Sequence, residues 1–193
     1  MAEPISVTAL LRAHAAGEEG AFDRLLPLVY EELRKVARRQ LRRDGGGGAL
    51  ATTELVHEAY LRLAGHEALR LEDRQHLLAV SALAMRQILV GHARARHALK
   101  RGAGVAAVPL DEGEAAVRAD SEWLLDLDRA LERLRAHDEG LASIVDCRFF
   151  AGMSEQETAE ALGLSLRSAQ RGWMKARAWL RCALEGGSPE ETP

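Results

Sequence analysis

The stretch Met153–Arg181, MSEQETAEALGLSLRSAQRGWMKARAWLR, decides how this chain is read. It predicts two short helices with a tight turn between them. Ser154 is placed to cap the first helix, and Glu157 completes a capping box. Gly163 falls where a helix ends in a left-handed residue, and Ser165 then caps the second helix. On that second helix Leu166, Ala169, Trp173, Ala176 and Leu180 recur at helical spacing and form one side expected to be buried. The opposite side carries Arg167, Ser168, Arg171 and Lys175, with Gln170 and Met174 on its flank, and no acid interrupts Ser165–Arg181. A helix-turn-helix sets such a helix in the DNA major groove, where Arg and Gln read base edges and Lys holds phosphate. The plainer alternative is a solvated basic face on an ordinary helical hairpin.

The rest of the chain points to the same fold class. Its 193 residues suit one ordinary domain or two small ones. Hydrophobic residues make up 47% and aromatic residues only 4%, a profile rich in helix formers. With no alternating β-branched segment bounded by turns, the expected fold is all-α.

A net charge of −3 is unusual for a protein that binds DNA alone, but the charge is unevenly placed. Arg34, Lys35, Arg38, Arg39, Arg42 and Arg43 form one basic block, read here as a solvated helix face. Arg94, Arg96, Lys100 and Arg101 form another, beside His92 and His97. Acid gathers between Asp111 and Asp128.

Upstream, a short helix holding Leu10 and Leu11 is expected to run to about Gly17. A long one follows from about Glu19 to Arg43, kinked or broken at Pro27. Gly45–Gly48 reads as a loop. Thr52 or Thr53 is expected to cap a helix to Ala64, with Val56, Ala59, Tyr60 and Leu63 inward. From a cap at Asp73 a long helix extends to Arg101, apolar nearly all round to Val90 and basic beyond Gly91. Further helices are expected over Trp123–Leu134 and Asp138–Phe150. The Gly-, Ala- and acid-rich run Gly102–Asp120, ahead of both, predicts a flexible linker. The expected organisation is therefore a first helical domain at 1–101, a linker at 102–121, a second helical domain at 122–185 and a disordered tail at 186–193.

Catalytic signatures are missing: the sequence holds no P-loop, HExxH, zinc spacing or GxSxG. His92 and His97 do not share a helix face, so no metal is expected, and neither is a cofactor or an enzymatic activity. Cys147 and Cys182 are expected as reduced thiols. The start MAEPIS is unlike a signal peptide, and no apolar run is read as membrane-spanning, so a cytoplasmic protein is expected.

Taken together, these segments resemble the sigma-70 superfamily, and within it the small extracytoplasmic-function (ECF) sigma factors of bacteria. ATTELVHEAYLRL (Ala51–Leu63) is similar to the helix that such factors dock on the polymerase clamp helices. HLLAVSALAMRQILVGHARARHALKRG (His76–Gly102) is similar to the helix that engages and melts the minus-10 element. The stretch from Met153 resembles the minus-35 reader. Two departures stand out: no Phe, Tyr or Trp lies between Asp73 and Arg101, and Gly91 sits where relatives often carry an acid.

The resemblance implies core RNA polymerase and promoter DNA as partners, with an anti-sigma factor as a further one. It implies polymerase contacts at Glu54, Leu55, Glu58, Leu61 and Arg62. Minus-10 contacts would fall on Arg86, His92, Arg94, Arg96 and Lys100, with a base-pocketing loop at Gly65–Glu72. Minus-35 contacts would fall on Arg148, Arg167, Ser168, Gln170, Arg171, Met174 and Lys175. Two rivals are a helix-turn-helix regulator acting without polymerase and a helical adaptor that binds only protein.

Overall fold

In the computed structural model the described residues are 6–43, 50–65, 71–102 and 112–187, with side chains at 6–42, 50–65, 71–98 and 122–187. The Gly45–Gly48 loop, most of the Gly65–Glu72 loop and the end of the tail lie outside them. Among the described residues eight α-helices follow in order: α1 (Val7–Ala15), α2 (Ala21–Arg43), α3 (Thr52–Ala64), α4 (Arg74–Gly102), α5 (Glu112–His137), α6 (Glu139–Val145), α7 (Glu155–Ala161) and α8 (Leu166–Leu184). A π-helical segment, Asp146–Ala151, continues α6. No strand occurs among the described residues, so the fold is all-α.

Local chemistry sets most helix ends. Gly17 adopts φ 82° just past α1. Asp73 caps α4, its carboxylate accepting from the His76 N–H at 2.8 Å. At α3 the capping residue is Ala51 rather than a threonine, and Glu54 accepts from the Ala51 N–H at 2.7 Å. α2 continues through Pro27, which lies on its exposed side in the second turn. The proline leaves the Asp23 carbonyl without an intrahelical donor where water can supply one.

The first half is built by α2, α3 and α4 packing on one another, with α1 against α2. Leu25, Val29, Leu55, Val56, Leu77 and Met85 are among its buried side chains. The Tyr60 hydroxyl donates to Asp23, tying α3 to α2, and burial with that bond pushes the Tyr60 pKa up to about 12. By length and composition the 74–98 stretch of α4 could cross a membrane, contrary to the sequence expectation. More than half of its most apolar 18-residue window is buried inside the fold, as suits a central helix of a protein core.

The second half surrounds Leu127, Leu131, Leu134, Val145 and Trp179, where α5 and α6 meet α8. Gly172 makes the α6–α8 approach possible: a Cβ there would lie 2.4 Å from Ile144 Cδ1. Cys147 is buried, and burial beside Asp146 pushes its thiol up to about 12, so it stays protonated.

The expected linker differs from the structure. Residues 103–111 of it lie outside the described residues, those from Glu112 onward belong to α5, and Asp128 further along α5 is a buried side chain. α4 packs against α5, the π-helical segment and α7, so the two halves share one continuous apolar core.

The contact between halves is also ionic. Arg86 of α4 is 1% exposed. Its Nη1 donates to Asp128 Oδ1 at 2.5 Å, and its Nε lies 3.8 Å from Asp146 Oδ1. Arg94 reaches Asp128 Oδ2 at 2.8 Å, and Arg135 reaches Asp146 Oδ2 at 2.7 Å. The Arg86 guanidinium also lies over the Phe150 ring, 5.4 Å from its centroid. Removing one partner from such a buried pair typically costs about 3–5 kcal/mol. Burial pushes the Asp146 carboxyl up, and Arg86 and Arg135 oppose that shift.

Gly152 ends the π-helical segment at φ 73°, and the Met153 N–H closes back on the Cys147 carbonyl at 3.0 Å. Its missing side chain leaves room for Arg39 of α2, whose guanidinium donates to the Ala151 carbonyl.

The packing at Gly172 can be tested directly. Gly172→Val changes intrinsic helix propensity little but drives a side chain into Ile144. It should destabilise the protein by about 1–3 kcal/mol in urea denaturation. Unchanged stability would mean that α6 and α8 are further apart than described.

Candidate nucleic-acid interface

The turn between α7 and α8 is held by the residues that the sequence singles out. The Ser154 hydroxyl accepts from the Glu157 N–H at 3.1 Å, and Glu157 accepts from the Ser154 N–H at 2.7 Å. Gly163 takes φ 63°, and its successor's N–H bonds back to Ala159. Ser165 Oγ then accepts from the Ser168 N–H at 3.1 Å, starting α8.

One side of α8 is buried through Ala169, Gly172, Ala176, Trp179 and Leu180. Trp173 is half-buried, and Leu166, expected inside, is exposed in the first turn of α8. The opposite side exposes Arg167, Gln170, Arg171, Met174 and Lys175. Met174 is 71% exposed, an apolar contact surface within a basic strip. Ser168 is half-buried, with its hydroxyl 2.8 Å from that of Ser165. It serves the turn first.

Two further members of the site are already engaged. Gln170 donates from Nε2 to Glu155 Oε2 at 2.7 Å, which leaves its carbonyl oxygen as the free acceptor. Arg148, half-buried in the π-helical segment, donates to the Met153 carbonyl at 2.6 Å. Its guanidinium lies over Trp173, 5.5 Å from the ring centroid, and Arg177 lies over the same ring at 5.8 Å. Glu155 also approaches Arg148, at 3.8 Å. Sequence reasoning overlooked Glu155. Its position next to the cap hides the fact that it reaches α8.

On α4 the expected contacts divide. His92 is half-exposed and its Nε2 lies 3.7 Å from Glu58 Oε2 of α3. Arg94 has an exposed side chain whose tip is held by Asp128. Arg96 is half-buried, and Lys100 lies in the last turn with its side chain outside the described set. Arg86 does not belong to an accessible face: in this arrangement it is enclosed by α5 and the π-helical segment.

On α3, Glu54, Glu58, Leu61 and Arg62 are exposed together, and Leu61 is 55% accessible. Leu55 corrects the expectation. It is 0% exposed and belongs to the core, because α2 and α4 cover that side of α3.

An open apolar groove of about 720 Å³ runs between α5, the π-helical segment and α8, lined by Trp123, Phe149, Trp173, Met174 and Leu184 among others. Those residues are scattered in sequence, which is why no periodic pattern revealed the groove. Among the described residues, no three His, Cys, Asp or Glu side chains gather as a metal site.

A family model described as ECF sigma factor matches residues 4–186. No curated protein matches the chain, and no solved structure does.

The capping box carries a pH signature. Hydrogen bonds from the Ser154 backbone and side chain hold the Glu157 carboxyl below its ordinary value. A depressed carboxyl adds stability that is full above the unfolded-state value and is lost as pH falls through the folded value. The stability gap between the parent and Glu157→Gln should therefore be open at neutral pH and close on acidification, read from urea midpoints. A gap that is constant with pH would show that the carboxylate is not holding the cap.

Proposed function

Because the chain belongs to the ECF sigma factor family, we propose that it binds core RNA polymerase and directs it to promoters. Its role lies in transcription initiation. The exposed strip of α3 would meet the polymerase, the basic end of α4 would meet the minus-10 element, and α8 would meet the minus-35 element. The proposed work is binding and strand separation in the cytoplasm, with no covalent step and no cofactor. An anti-sigma factor is a further candidate partner.

The observation that carries this reading is the two-sided character of α8. Its buried side anchors it to α5 and α6, while Arg167, Gln170, Arg171 and Lys175 stand exposed without an acid among them. Arg171 and Gln170 are suited to base edges, and Lys175 to phosphate. Gln170 would exchange its bond to Glu155 for a base, which makes Glu155 a positioning residue in the free protein. Arg148, fixed on Trp173 and Met153, would present only its remaining N–H groups to phosphate. Co-purification with core polymerase and run-off transcription separate this function from a regulator acting alone and from a protein-only adaptor.

Two sets of substitutions test the assignments. Leu61→Asp removes no buried contact, so helicity and thermal stability should be nearly unchanged while affinity for core polymerase falls. A folded Leu61→Asp protein with full core affinity would remove α3 from the polymerase contact.

At the minus-35 reader, Arg171→Ala should cost about 1–3 kcal/mol and relax base preference at one position. Lys175→Ala should weaken all sequences alike and flatten the salt dependence. Titrations of core-bound protein on randomised minus-35 duplexes read both effects. A changed consensus with an unchanged salt slope for Lys175→Ala would reverse its role.

A further inference from the structure

We propose that Glu155 decides which bases Gln170 accepts, by fixing which end of its amide is turned towards the DNA. The fixing is read from the bonds between α7 and α8. That the free end meets the minus-35 element rests on the sigma-factor reading above.

A glutamine amide carries an acceptor oxygen and a donor NH2 of nearly the same shape, so a free one turns either end to a partner. Gln170 has lost that freedom. A carboxylate only accepts, and Gln170 Nε2 lies 2.7 Å from Glu155 Oε2. Turning the amide over would set its carbonyl oxygen against the carboxylate, two acceptors with no proton between them. The NH2 end therefore points to α7, and the carbonyl oxygen is the end left for a ligand.

Glu155 is itself held in place. It opens α7 directly after the Ser154 cap, and its Oε1 lies 3.8 Å from Arg148 Nη2. Arg148 is fixed in turn by the Met153 carbonyl and by the face of Trp173. The carboxylate is thus bracketed between an amide and a guanidinium, whose charge offsets its own beside a polyanion.

The outward oxygen of Gln170 differs from its neighbours on the exposed strip. Arg167, Arg171 and Lys175 carry donors only, and the Ser168 hydroxyl is engaged with that of Ser165. Gln170 supplies the strip's outward acceptor. In the major groove adenine N6 and cytosine N4 are donors, whereas guanine O6 and thymine O4 are acceptors. The amide held by Glu155 meets the first two with a hydrogen bond and the last two with opposed lone pairs. Adenine gains further, because its N7 can take the Nε2–H in exchange for Glu155 without the amide turning over. On the strand that Gln170 faces, the selected pairs are A·T and C·G over T·A and G·C.

The test uses the full chain bound to core polymerase and four minus-35 duplexes, which differ only at the pair whose preference is lost in Gln170→Ala. Fluorescence anisotropy reads the ratio of affinities, which a general change of charge leaves unaltered. The parent should favour A·T and C·G about tenfold, within the range of one direct base contact. Glu155→Gln can donate or accept, so either end of the Gln170 amide suits it and the ratio should fall close to one. Glu155→Lys only donates, which should turn the amide over and invert the ratio towards T·A and G·C. Glu155 is only half-buried, so both variants should keep the helical circular dichroism of the parent. A structural role alone would weaken all four duplexes alike, and that result would overturn the proposal, as would a parent-like ratio in Glu155→Gln. If Glu155→Lys misfolds, the ratio in Glu155→Gln decides. Adding Glu155→Lys to Gln170→Ala should leave the ratio flat, and a ratio that still moves would mean that Glu155 acts on the base without Gln170, against the proposal. Should the parent select base pairs while Gln170→Ala changes the preference at none, the proposal fails and the sigma-factor reading stands. A parent that neither binds core polymerase nor selects any pair would overturn that reading itself.

Discussion

A guanidinium buried inside a protein cannot discard its charge, so carboxylates must be brought to it. Arg86 imposes that requirement on this fold. Its neighbours on α4 are Met85, Ile88 and Leu89, which offer no acceptor, and the acids come instead from α5 and the π-helical segment. Meeting both carboxylates at once fixes how the second half sits on the first. The π-helical turn contributes directly: it carries Asp146 and Phe150 towards Arg86 while Arg148 reaches Trp173 on α8. Gly152, left-handed and without a side chain, then lets Arg39 close on the same segment.

That constraint connects stability with function. α8 is anchored through α5 and α6, and the π-helical segment that orients Arg148 also carries Asp146 and borders α4. The proposed minus-35 surface and Asp146 of the buried ionic cluster are therefore built on one continuous piece of chain. On the other side, α3 has its inner face fixed by α2 and α4 and leaves Leu61 among charges on its outer face. Glu58 of that outer face lies beside His92 of α4, so the proposed polymerase contact and the proposed minus-10 helix adjoin at the surface.

Acidity in this chain has two distinct physical roles. Glu157 and Asp138 are exposed carboxylates that satisfy helix-start N–H groups. Asp128 and Asp146 are buried carboxylates that exist to meet arginines. Composition treats all four alike, and a net charge of −3 conceals the difference.

The sequence by itself determined what depends on neighbours a few residues away. The all-α class, the capping box at Ser154, the left-handed Gly163, the Ser165 cap and the exposed basic strip of α8 all follow from helical periodicity and short-range hydrogen bonds. Tertiary structure decided the rest. Leu55 and Leu61 are both leucines on α3, and only the positions of α2 and α4 make one core and the other surface. Gly172 reads as a weak point in a helix until Ile144 is placed against it. Asp128 reads as part of an acidic run, and Arg86 as a candidate DNA contact, until α5 crosses α4 and pairs them. Burial and ion pairing between distant segments depend on how helices cross, and no local periodicity encodes that crossing.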